Sequence, residues 1–113
     1  MGEDLENSFI IVFVTVGSKE EAEKISRQLL EDKLIACANI IGPVTSHFQW
    51  LGKIDCTEEF LVLLKSRKDL FEALSEKVKS LHSYEVPEIL ALSVVAGSKD
   101  YLRWFGDSLK KSN

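Results

Sequence analysis

Apolar positions in this chain come in two textures: unbroken runs, and single residues spaced at helical intervals. The unbroken runs are Phe9–Val16 (FIIVFVTV), Leu34–Ile41, Phe60–Leu64 and Ile89–Val95. A strand with one wet face alternates apolar and polar residues. An unbroken run predicts a strand covered on both faces. Helical spacing appears first at Ala22, Ile25, Leu29 and Leu30, with Lys19, Glu20, Glu23, Lys24 and Arg27 turned outward. This predicts a helix over Lys19–Asp32, opened by Ser18 as N-cap with Glu21 completing a capping box. Leu70, Phe71, Leu74, Val78 and Leu81 predict a second helix, with Ser66 and Asp69 as a second capping box. Tyr101, Leu102, Trp104, Phe105 and Leu109 form a third helical stretch, apolar over more than one stripe, after a Ser98 cap.

Between the first two helices lies one long β-hairpin, Leu34–Ser66, turning at Leu51-Gly52. Its ends are apolar and its middle is polar, so its tip projects from the domain. Gly42-Pro43 interrupts the first strand and predicts a bulge at a sheet edge. The element order is β-α-β-β-α-β plus a C-terminal helix, the ferredoxin-like pattern of the α+β class. Two helices shelter one face of such a sheet. The other face would then expose several rows of apolar side chains, more than a soluble monomer carries. Self-association in a closed symmetric oligomer follows.

The chain has 113 residues and a net charge of −4 spread along its length. This fits one domain over residues 9–113, preceded by a disordered N-terminal tail over residues 1–8. A spread negative charge argues against nucleic acid and anionic membranes as partners. No stretch has the length and apolarity to span a bilayer, and the acidic start lacks a signal-peptide pattern, so the expected location is cytoplasmic. In the predicted register Cys37 faces Ser66 and Cys56 lies far along the ribbon, so the two should stay free thiols. The same register makes His47 and Cys56 cross-strand neighbours, a soft pair of candidate metal donors or two ordinary ribbon residues. The chain shows no phosphate loop, nucleophile elbow or zinc spacing, and it is not expected to be an enzyme.

Separated motifs then point to a family. Leu34–Asn39 (LIACAN), Thr45-Ser46, Trp50–Lys53 (WLGK), Glu59, Lys65-Ser66, His82–Glu88 (HSYEVPE) and Tyr101–Trp104 (YLRW) occur in this order. Over Phe9–Leu109 the chain resembles the CutA divalent-cation tolerance family. The resemblance implies a ferredoxin-like homotrimer, related in architecture to PII-type signalling proteins. It implies binding of copper(II) or another divalent metal, or of a small ligand, at a cleft between subunits. The candidate binding residues are Trp50, Glu59, Lys65, Tyr84 and Glu88, with His82 as candidate metal ligand. The family's proposed copper ligands are a cysteine at the end of the first strand and two consecutive histidines. Here those positions are Val14, Leu81 and His82, so one of the three ligands is retained. Two further roles are implied by relatives: a trimeric scaffold for a partner protein, as in acetylcholinesterase processing, and a PII-like small-molecule sensor.

Overall fold

A computed structural model describes residues 8–111. Residues 1–7 of the expected tail lie outside the described residues. Ser8 is tied down, its carbonyl accepting from the Lys68 N–H at 2.7 Å. The elements are β1 (Phe9–Val16), α1 (Lys19–Glu31), β2 (Cys37–Trp50), β3 (Lys53–Arg67), α2 (Phe71–Leu81), β4 (Ile89–Ser93) and α3 (Lys99–Asp107). The strands form one antiparallel sheet in the order β2-β3-β1-β4. This is the expected ferredoxin-like α+β arrangement.

The two sheet faces differ. Ile10, Val12, Val14 and Val16 of β1 are buried, and Val62, Leu64 and Ser66 of β3 join them. Beneath lie Ala22, Ile25 and Leu29 of α1 with Leu74 and Val78 of α2. The alternate residues Phe9, Ile11, Phe13 and Thr15 are only half-buried within one chain. They share the second face with Leu61, Leu63 and Lys65 across β3 and with Leu90 and Leu92 across β4. The unbroken runs therefore alternate in burial after all. Coverage of the second face is limited to one end, where α3 sets Phe105 against Phe9 with ring centroids 4.4 Å apart.

Local chemistry explains the element ends. Ser18 caps α1, accepting from the Glu21 N–H. The α1 C-terminus closes with Lys33 N–H to Leu30 and Leu34 N–H to Leu29, and Lys33 sits at φ 57. That is a Schellman closure with lysine in the left-handed position usually given to glycine. It turns Leu34 and Ile35 into the core, so β2 begins at Cys37 and not at Leu34. The second capping box does not form. Ser66 is buried and donates to the Leu34 carbonyl at 2.7 Å, while Asp69 pairs with Arg67 at 2.5 Å. A short 3-10 turn, Lys68–Leu70, precedes α2 instead. The fourth strand stops at Ser93, short of Val95.

The hairpin turn has Leu51 at φ 53 and Gly52 at φ 77, the two left-handed residues of a tight two-residue turn. From there Trp50 faces Lys53 and His47 faces Cys56. Between Ile41–Leu61 and Val44–Glu59, β2 spends two residues, Gly42 and Pro43, against Phe60 alone. This is the predicted bulge, on an edge strand. It shifts the register, so Cys37 faces Lys65 rather than Ser66. Glycine is required here: a Cβ on Gly42 would lie 2.6 Å from the Phe60 ring. Beyond the bulge the ribbon extends the molecule to 48 Å in its long dimension.

Candidate functional site

The second face continues onto the ribbon. Glu59, Thr57 and Asp55 follow Leu61 at two-residue steps along β3, with Val44, Ser46 and Phe48 opposite them on β2. The loop after α2 rises beside this surface. Together they enclose a cleft of 750 Å³. Trp50 and Phe48 line its ribbon side, Glu59 and Thr15 its floor, and Tyr84, Glu85, Val86 and Glu88 its loop side.

The loop is positioned by a chain of hydrogen bonds. His82 is buried, and its Nε2 donates to the Thr15 carbonyl at 2.7 Å. A carbonyl only accepts, so the ring proton is on Nε2. Nδ1 then accepts from the Tyr84 N–H at 3.0 Å. Tyr84 in turn donates its hydroxyl to Glu59 Oε2 at 2.7 Å, satisfying a carboxylate that is only 7% exposed. From outside, Glu21 of α1 clasps the loop. Its two carboxylate oxygens accept from the Ser83 N–H at 2.8 Å and the Ser83 hydroxyl at 2.9 Å. The predicted capping box thus forms by half, with the Glu21 side chain engaged by Ser83.

Electrostatics follow from these contacts. Partial burial, and then the Glu59 carboxylate beside it, push the Tyr84 phenol up to about 12. Asp55, Glu59, Glu85 and Glu88 all line the cleft, and among the described residues no lysine or arginine does. The site is therefore suited to a cation.

Four of the five expected binding residues, Trp50, Glu59, Tyr84 and Glu88, line one cleft. Lys65 does not join them. It lies six residues from Glu59 along β3, roughly 20 Å at strand rise. There its Nζ donates to the Tyr101 hydroxyl at 3.1 Å, which raises its pKa. His82 stands behind the cleft with both ring nitrogens engaged. Val14 is fully buried and Leu81 packs on the core, and neither carries a donor. The three-ligand copper set implied by the resemblance does not fit these residues. Among the described residues, no group of three His, Cys, Asp or Glu lies close enough to hold a metal ion within one chain.

Sequence reasoning missed Asp55 and Phe48 as cleft residues, and Glu21 as the clasp. Asp55 and Phe48 were findable, since they share strand parity with Glu59 and Trp50. Glu21 carried the same signal as any capping glutamate.

The family model described as CutA1 divalent ion tolerance protein matches residues 10–108. The chain belongs to this CutA1 family. It is 39% identical over 101 residues to the chloroplastic protein CutA of Arabidopsis thaliana, covering 89% of this chain and 56% of that protein. A rice relative, CutA 1, is 39% identical with 58% of its length covered, so the chain spans little more than half of these plant proteins. The divalent-cation tolerance protein CutA of Thermus thermophilus is 41% identical over 98 residues, covering 87% of this chain and 95% of that one. Among solved structures, CutA1 from Oryza sativa superposes with a TM-score of 0.90 at 37% identity, over 96% of this chain and all of that one. The Thermus thermophilus structure gives 0.88 at 39% identity, covering 90% of this chain and 99% of that chain. Membership of CutA1 and the ferredoxin-like fold are thus both established for this chain. The Arabidopsis relative is chloroplastic by name, so the expected cytoplasmic location is not a property of the whole family. Among the described residues, no helix is long and apolar enough to cross a membrane.

Proposed function

We propose that this chain acts as a homotrimer in divalent-cation tolerance, binding copper(II) or another divalent metal at the acidic cleft, where a neighbouring subunit completes the site. One observation carries the reading. Four carboxylates and, among the described residues, no lysine or arginine line the cleft, and it opens on the same sheet face that a single chain leaves half covered. Oxygen donors of this kind suit divalent cations. One chain offers too few donors in one place, so a subunit boundary is where the rest would come from. The names of the relatives support the same role. In this reading Lys65 acts across the boundary, as a contact to a neighbour or to an anionic ligand group. His82 serves by holding Tyr84. The protein binds and carries no reaction of its own. Its two free thiols suit a reducing compartment such as the cytoplasm.

Calorimetric titration of metal-stripped protein with copper(II), zinc and calcium tests this. Binding weakened by Glu59→Gln and Glu88→Gln is the expected result. No binding tighter than about millimolar for any of the three, about −4 kcal/mol, rejects the reading.

A further inference from the structure

At the edge of the cleft the ribbon carries a pair of side chains that the proposed divalent site does not use. His47 and Cys56 face each other across β2 and β3, one residue out of step with Phe48 and Asp55. His47 touches the cleft rim, and its Nε2 lies 4.0 Å from the Cys56 sulfur. The pair is exposed, and its register depends on the Leu51-Gly52 turn alone, because the Gly42-Pro43 bulge lies further down the ribbon.

We propose that His47 and Cys56 form a binding site for a monovalent copper ion at the cleft rim, with donors distinct from the cleft carboxylates and independent of the reading given to them. Geometry is the first support. A closed-shell first-row ion held about 2.3 Å from sulfur and about 2.0 Å from a ring nitrogen keeps them about 3.5 Å apart at a tetrahedral angle, and about 4.3 Å apart in line. The observed 4.0 Å falls between these limits, on the open side. An ion can enter with the backbone in place. Donor number is the second support. Zinc asks for four ligands and calcium for six or more. Among the described residues no third His, Cys, Asp or Glu stands close enough to join the two. Monovalent copper accepts two donors, and a thiolate with an imidazole is a soft pair that suits it. On binding, the Cys56 thiol releases its proton to water and its sulfur takes the metal, with no change in oxidation state. Metal uptake at this site therefore releases protons and weakens at low pH.

The test uses the reduced, metal-free full-length chain. It is titrated without oxygen with copper(I) against a chromophoric copper(I) chelator, and the product is examined by X-ray absorption. Expected are one ion per chain, with one sulfur and one nitrogen neighbour, and protection of Cys56 but not Cys37 from alkylation. Cys56→Ser abolishes uptake. His47→Ala lowers affinity by at least the roughly 10- to 100-fold that loss of an outer partner costs a metal site. Glu59→Gln, which damages the cleft, leaves copper(I) uptake unchanged. The proposal falls if the wild-type chain takes up no copper(I), if Cys56→Ser binds it equally well, or if the protected thiol is Cys37.

Discussion

The two faces of one sheet are built from the same residue types and end in different states. On the helix side Val12, Val14, Val62 and Leu64 are fully buried. On the other side Ile11, Phe13, Leu61 and Leu63 are half-buried, Leu92 is 56% exposed and Leu90 61%. The side chains alternate along the same strands, so strand chemistry cannot account for the contrast. What differs is the layer above. The helices α1 and α2 lie across one face, while α3 reaches only the Phe9 end of the other. Burial of an apolar side chain is worth about 1.5–3 kcal/mol. The second face therefore carries a large unspent drive to associate, and the acidic cleft lies at its far end.

The sharpest way to break this comparison is to truncate the same residue type on each face. Leu64→Ala should lower unfolding stability by about 2–5 kcal/mol at any protein concentration. Leu92→Ala should cost the isolated chain less than about 1 kcal/mol, yet shift oligomer dissociation to higher concentration. Urea unfolding at several concentrations separates the two outcomes. Equal, concentration-independent losses would mean that the faces are not different in kind.

A smaller effect is expected where body meets ribbon. Gly42→Ala pushes a methyl group into Phe60 and should cost about 1–3 kcal/mol by the same unfolding assay. An unchanged midpoint would mean that the bulge does not hold the ribbon's direction.

The smallest effect concerns the loop that walls the cleft. The Tyr84 phenol is raised from 10.0 to about 12 in the folded chain. A raised value means that the fold favours the protonated form. The stability this lends is whole below pH 10 and is lost as pH rises through 12. In a Tyr101→Phe background Tyr84 is the only tyrosine, and its ultraviolet titration should fall near 12. Glu59→Gln should bring the titration back toward 10. A normal titration in the parent would mean that Tyr84 and Glu59 do not meet.

Much of this was legible in the sequence, and the exceptions have physical reasons. Strand runs, helical spacing and the Leu51-Gly52 turn were enough for the element order, the bulge and the His47–Cys56 pairing. Signals of equal local strength failed where tertiary partners compete. Ser66 could cap a helix or reach Leu34, and burial selected Leu34. Lys33 takes a glycine's conformation because the Schellman bonds and the Lys110 N–H to its carbonyl hold it there. The motif residues Trp50, Glu59, Tyr84 and Glu88 do share one cleft. Lys65 does not, because six residues of extended strand separate it from Glu59. His82 read as a ligand because sequence cannot show that both its nitrogens are already engaged.

Copies of this chain either cover the second face or leave it open to water. Sedimentation equilibrium of the full-length protein at micromolar concentration measures that directly. A single species of three times the chain mass, 12.7 kDa, is the predicted result. A folded, soluble species of one chain mass would contradict the account and remove the subunit boundary from the proposed metal site.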